Sequence, residues 1–103
     1  MATDERVIVS SDGTRIWAEA AGDPANPAIV FIHGLACSAL LFDKQFQDQA
    51  LLDKLYLVRY EMRGHGRSDT PHGTEAYAGT LQAEDFRVVC EAFRLQKPWV
   101  FGW

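Results

Sequence analysis

The chain is poor in several features that would each assign it a class. It has only two cysteines, Cys37 and Cys90, in 103 residues. They lie far apart in sequence and form no metal-type spacing, so two free thiols and no metal centre are expected. Long apolar runs are missing: the longest wholly apolar stretch is 28–32, far below the ~20 residues of a membrane span. Basic charge is not in excess. Ten Lys and Arg stand against fourteen Asp and Glu, a net charge of −4, so the surface attracts neither nucleic acid nor an anionic membrane and neither is expected as a partner. The start, Met1-Ala2-Thr3-Asp4-Glu5-Arg6, has no basic opening and no apolar segment, so no signal peptide is expected and the cytoplasm is the expected location. Internal repeats, low-complexity tracts and linkers are also lacking.

The composition that remains is that of an ordinary globular protein, 48% apolar and 23% charged. At this length there is room for one domain, which buries about two thirds of its unfolded surface if it folds compactly.

Along the chain, residues 6–10 and 14–20 read as two strands joined at Asp12-Gly13, a strong hairpin signal. Gly22, Asp23-Pro24 and Asn26-Pro27 mark a loop. Residues 28–32 are an unbroken β-branched and aromatic run, and the lack of alternation implies a strand covered on both faces, as in a parallel sheet. A helix is expected over 39–47, a strand over 56–61, and a helix over 80–95 with Thr80 as its N-cap. In that last helix Phe86, Val89, Cys90 and Phe93 form one apolar stripe, while Glu84 with Arg87 and Glu91 with Arg94 lie on the solvated side. After Pro98, Trp99-Val100-Phe101-Gly102-Trp103 reads as a buried strand over 99–102. Trp17, Trp99 and Trp103 are expected to pack against strands or core. The order β-hairpin, β, α, β, α, β defines an α/β protein whose later strands are parallel.

In open parallel sheets, function collects at the carboxyl ends of the strands. All three candidate parallel strands end in glycine-containing turns: His33-Gly34, Arg63-Gly64-His65-Gly66 and Gly102-Trp103. These three motifs, in this order and at this spacing, resemble the α/β-hydrolase superfamily over nearly the whole chain. His33-Gly34 looks like the family's oxyanion loop. Tyr60 to Asp69 looks like the segment after its fourth strand, with Glu61 where the family usually has aspartate. Phe101-Gly102-Trp103 looks like the approach to the nucleophile elbow Gly-x-Ser-x-Gly. The resemblance implies one partial α/β-hydrolase domain over 1–103. It implies that the backbone N–H of Leu35 is an oxyanion donor supported by His33 and Gly34, that Gly102 and Trp103 lead into the elbow, and that Arg63, Gly64, His65 and Gly66 form a structural turn beside the site. It also implies a small-molecule substrate, an ester, lactone or relative, attacked by a serine without any cofactor. The esterase and non-haem haloperoxidase-like branch is the nearer match.

None of the triad lies within these residues, so the 103-residue chain is expected to be inactive. Ser68 in Gly66-Arg67-Ser68-Asp69-Thr70 lacks the second glycine of an elbow and reads as a turn residue, Ser38 as a local cap, Cys37 as a plain loop thiol, Cys90 as core, and His72 as a solvated loop residue. Two other classes compete. A truncated fragment or pseudo-enzyme would leave the last strand as an apolar edge, prone to self-association or aggregation. A nucleotide-binding module is the remote alternative: Gly64-His65-Gly66-Arg67-Ser68-Asp69 loosely resembles Gly-x-Gly-x-x-Gly, but an acid stands where the third glycine belongs and would repel a pyrophosphate.

Overall fold

The structure, a computed structural model, describes residues 3–102. Five strands form one mixed sheet: β1 (Asp4–Val9), β2 (Arg15–Ala21), β3 (Ala28–Ile32), β4 (Tyr56–Tyr60) and β5 (Trp99–Gly102). Their spatial order is β1-β2-β4-β3-β5, with β1, β2 and β4 antiparallel in turn and β4, β3 and β5 parallel. The Asp-Gly hairpin turn is closed by the Ser10 N–H donating to the Thr14 carbonyl at 2.8 Å. No helix among the described residues is long and apolar enough to cross a membrane.

Alternating side chains of β4 supply the two faces. Tyr56, Val58 and Tyr60 join Ile16, Ala18, Ala20, Val30, Val89 and Phe93 in one cluster, under the helix α3 (Gly79–Ala92). Leu57 joins Ala21, Phe31, Phe42, Phe46 and Leu52 in the other. All five β4 residues are buried, which explains their unbroken run of large side chains. In β1 the inward residue is Ile8, while Val7 and Val9 are exposed.

Three local expectations are corrected. The helix expected over 39–47 is a 3₁₀ turn (Ala39–Phe42) followed by a single α turn, α1 (Asp43–Phe46), and a separate one, α2 (Gln49–Leu52). The break has a cause: the Asp48 carboxylate accepts the Ala50 N–H at 2.9 Å and starts a new N-terminus. Thr80 does not cap α3, which begins at Gly79 after Ala78 with no side-chain cap. Its C-terminus closes as a Schellman motif, with Leu95 N–H on the Cys90 carbonyl at 2.9 Å and Arg94 N–H on the Glu91 carbonyl at 3.1 Å. Arg94, at φ 56°, occupies the left-handed position that usually holds glycine. Glu91 pairs with Arg87, at 2.8 Å, rather than with Arg94.

The third correction concerns β5. Among the described residues it is an edge strand paired only with β3, and Trp99 is 72% exposed, Val100 53% and Phe101 46%. Trp99 is exposed here because no element among the described residues covers its face. Trp17 is buried, with its indole N–H on Glu5 Oε1 at 2.7 Å and the Arg67 guanidinium 3.4 Å from its ring centroid. Trp103 lies outside the described residues.

Candidate functional site

The carboxyl ends of β3 and β4 lie side by side because those strands are parallel neighbours in register. The loops leaving them frame an open cleft of about 640 Å³, lined by His33, Gly34, Leu35, Met62, His65 and Tyr77 among others. The β3 loop turns at once. Cys37 N–H donates to the Gly34 carbonyl at 3.1 Å, and Ala36 takes a positive φ of 61° at the third position of that turn. Within it, the Ala36 N–H goes to His65 Nε2 at 3.1 Å. The Leu35 N–H meets no acceptor among the described residues, and its side chain is 88% exposed.

His33 is buried, and its hydrogen bonds define its state. The Met62 backbone N–H donates to Nε2 at 3.0 Å, so that nitrogen carries no proton. The proton sits on Nδ1 and is donated to the Gly34 carbonyl at 2.8 Å. Burial pushes the His33 imidazole below its ordinary value; the neighbouring His65 adds to this, and the Gly34 carbonyl and Glu61 oppose it. A neutral ring with both nitrogens engaged holds two loops together and has no nitrogen left for a proton transfer.

The turn after β4 rests on two buried ions. Glu61 accepts the Ala39 N–H at 3.1 Å, the Arg67 N–H at 2.9 Å and Arg67 Nε at 2.8 Å. Burial by itself would raise this carboxyl; the bonds from Arg67 and Ala39 together outweigh it and hold it below the usual range. Its two oxygens fill the space beside Gly66, where a Cβ would fall 2.3 Å from Oε2. Gly66, at φ 50°, thus serves both the turn and the carboxylate.

Arg63, 1% exposed, uses every N–H it has. Nε and Nη2 form a fork on Asp85, each at 2.7 Å. Nη1 and Nη2 reach Asp12 at 2.9 and 3.2 Å, and Nη1 also donates to the Ala76 carbonyl at 2.7 Å. Ser10 Oγ donates to Asp85 Oδ1 at 2.6 Å. The guanidinium so joins the hairpin turn, the segment before α3 and α3 itself to the β4 loop. Hydrogen bonding to Asp85, then to Asp12, pushes its pKa up, and Arg63 in turn holds Asp12 far below the usual carboxylate value.

Arg63, Gly64, His65 and Gly66 thus stand together beside the β3 loop. Gly64, at φ 83°, packs under Tyr77, where a Cβ would fall 2.9 Å from Cε1. Gly102 ends β5, in register with Ile32. Ser68 is buried, donating to the Glu61 carbonyl and accepting the Trp17 N–H at 2.9 Å. Ser38 caps the 3₁₀ turn through the Leu40 N–H, Cys37 and Cys90 are free thiols, and His72 is exposed. No group of three or more His, Cys, Asp or Glu placed to hold a metal occurs among the described residues.

Sequence reasoning missed Asp85 and Asp12 as partners of Arg63. Asp85 was legible in principle: it precedes Phe86 on the apolar side of α3, and a buried acid requires a buried base.

A hairpin leading into parallel strands in the order β1-β2-β4-β3-β5, with a His-Gly turn after β3, is the architecture of one large class of proteins. Residues 27–103 match the family described as the alpha/beta hydrolase fold, and the chain belongs to it. Among its relatives, it is 37% identical over 84 residues to the probable oxidoreductase EphD of Mycobacterium tuberculosis, covering 82% of this chain and 14% of that protein. It is 35% identical over 80 residues to a non-heme chloroperoxidase of Streptomyces lividans, covering 74% of this chain and 28% of that one. The crystal structure of a Burkholderia cenocepacia protein assigned as an aryl esterase superposes with a TM-score of 0.90 at 36% identity, covering 97% of this chain and 37% of that one. The chain therefore spans between about a seventh and two fifths of the length of these relatives.

Proposed function

We propose that the protein acts as a serine hydrolase on small esters, lactones or related substrates, on the esterase and haloperoxidase-like side of its family. The observation that supports this most is the Leu35 N–H. It lines the cleft with no acceptor among the described residues, while the next two amides, of Ala36 and Cys37, are engaged. A backbone N–H held in a rigid turn suits a developing oxyanion, since it needs no reorganisation as charge appears. His33 and Gly34 shape that turn, and Gly102 and Trp103 lead toward the elbow that carries the nucleophile. Serine Oγ would bond to the carbonyl carbon as its O–H proton passes to the base and the π pair moves onto oxygen; collapse would break the C–O bond, the base returning the proton to the departing alkoxide, to leave an acyl-enzyme for water to cleave. This chemistry needs no metal or cofactor, and the substrate is a small molecule rather than nucleic acid or membrane. The location we propose is cytoplasmic.

The nucleophile, the acid, the base and the second oxyanion donor are all contributed by residues outside the 103, which by themselves give no turnover. Short p-nitrophenyl esters test both halves. The protein carrying the residues after Trp103 hydrolyses them and is blocked by a serine-directed fluorophosphonate. The 103-residue chain stays at the level of a heat-treated control. Serine-dependent hydrolysis by the 103 residues overturns the assignment.

A second reading is a non-catalytic fragment or pseudo-enzyme, in which the exposed Trp99, Val100 and Phe101 on the β5 edge would be a site of self-association. The codons that follow Trp103 separate the two: a serine, any residue, then glycine supports the hydrolase, and a stop codon in a well-supported transcript supports the fragment.

A further inference from the structure

We propose that His65 is a positioning residue for the oxyanion loop, its Nε2 holding the Ala36 N–H and with it the turn that leaves the Leu35 N–H available. The inference rests on the reading of Leu35 given above. Ala36 has a Cβ and a φ of 61°, a backbone that an L-residue keeps only where its surroundings hold it. Two bonds do so: Cys37 N–H to the Gly34 carbonyl at 3.1 Å, which closes the turn, and Ala36 N–H to His65 Nε2 at 3.1 Å. His65 Nδ1 lies 3.1 Å from the Arg63 carbonyl, so it carries the proton and leaves Nε2 as an acceptor.

The arrangement is reciprocal. His33 of the β3 loop accepts the Met62 N–H of the β4 loop, and His65 of the β4 loop accepts the Ala36 N–H of the β3 loop. The two rings stand 4.9 Å apart, tilted by 55°. Gly64 and Gly66 on either side of His65 both have positive φ, so the β4 loop doubles back to aim this ring at its neighbour. Glu61, pinned by Ala39 and Arg67, fixes the depth of that loop.

The contact is sensitive to protonation. A proton on His65 Nε2 would place a second N–H against the Ala36 N–H and break the bond. Among the described residues, His33 of the β3 loop stands against the ring and Tyr77 lines the same cleft. Glu61 is held by Arg67, and Arg63 faces Asp85 and Asp12 instead. No carboxylate among the described residues hydrogen-bonds His65.

Amide hydrogen exchange and ¹⁵N NMR on the full protein test this, with His65→Leu and His65→Gln beside the parent. Glutamine keeps an acceptor that does not titrate. The Ala36 amide of the parent and of His65→Gln exchanges about 3- to 10-fold more slowly than that of His65→Leu at pH 8, the worth of one net hydrogen bond. On acidification the parent loses this protection after correction for intrinsic rates, and His65→Gln keeps it. Equal protection in His65→Leu, or the same acid response in His65→Gln, overturns the proposal. Should His65→Leu fail to fold, the acid response of His65→Gln against the parent decides alone. In ester hydrolysis His65→Leu lowers kcat about 3- to 10-fold with KM unchanged, and His65→Gln restores it. The exchange pattern without any hydrolysis supports the positioning role and sinks the hydrolase reading. Intact hydrolysis without the exchange pattern does the reverse.

Discussion

Replacing Arg63 by methionine tests how much of the fold hangs on one buried cation. The substitution keeps most of the side-chain volume and removes all five N–H donors. Asp85, 2% exposed, is then left with Ser10 Oγ as its hydrogen-bond donor among the described residues. A buried pair broken from one side costs about 3–5 kcal/mol, because the remaining charge stays out of water uncompensated. Against the 5–15 kcal/mol typical of a domain this is a large fraction. With a urea m-value of about 1–3 kcal/mol/M, the unfolding midpoint falls by roughly 1–5 M. Asp85→Asn is milder, about 1–3 kcal/mol, since Arg63 keeps Asp12 and the Ala76 carbonyl. The double variant Arg63→Met, Asp85→Leu leaves no buried charge alone, because Asp12 is 31% exposed and hydrates. Its cost falls short of the summed costs of Arg63→Met and Asp85→Leu made singly by about 2 kcal/mol or more.

A pH arm accompanies this comparison. Arg63 lowers the Asp12 pKa in the folded state. Its stabilising effect is therefore complete above the unfolded value near 3.8 and is lost as pH falls through the folded value. Arg63→Met shrinks that acid limb, and the Thr14 hydrogen bond to Asp12 keeps the remainder. Urea unfolding followed by tryptophan fluorescence at pH 7 and at steps down to pH 2 measures both effects. An Arg63→Met variant within 1 kcal/mol of the parent, or strict additivity in the double variant, would refute the reasoning.

Three further outcomes are expected. Gly66→Ala meets both a left-handed φ and the Glu61 carboxylate, and should cost about 2–4 kcal/mol by urea unfolding; a cost under 1 kcal/mol would mean that Glu61 moves freely. His33, held neutral by burial, gives a fold most stable above pH ~6.5 and less so as pH falls toward its lower folded value; ¹⁵N NMR should show the Nδ1–H tautomer titrating below 6.5, and a midpoint above 6.5 contradicts the assignment. Arg94→Gly relieves the left-handed Schellman position and should raise stability by up to about 1 kcal/mol in a thermal melt, whereas a loss would show that the arginine side chain holds the helix end.

The path of the chain was legible where short-range chemistry dominates. Asp12-Gly13 marks the hairpin, the unbroken 28–32 run marks a strand covered on both faces, and glycines at three strand ends mark where loops turn. What escaped depends on contacts between distant segments. Arg63 meets Asp12 across 51 residues and Asp85 across 22, and no local pattern encodes either pairing. Asp12 seemed fully explained by its turn, which hid its second partner. Glu61 stood out only as a departure from the usual aspartate, and its reach to Ala39 and Arg67 needs the fold to be seen. The broken 39–52 region was more readable than it was read, since Asp48 before Gln49-Ala50-Leu51-Leu52 is an N-cap signal of its own. β5 escaped for a different reason: apolarity reports what a strand is suited to bury, not whether a neighbour covers it.

The exposure of Leu35, together with the oxyanion role proposed for its N–H, has a consequence for genetics. A function carried by a main-chain hydrogen is blind to most substitutions at its own position. Leucine there can become alanine, serine or glutamine and the donor survives, so an alanine scan would score position 35 as dispensable. Only proline, which has no such hydrogen, or an amide-to-ester replacement in the backbone would reveal it. Damage to the site would surface instead at His65, Gly66 and Glu61, residues that touch no substrate in the proposed reaction.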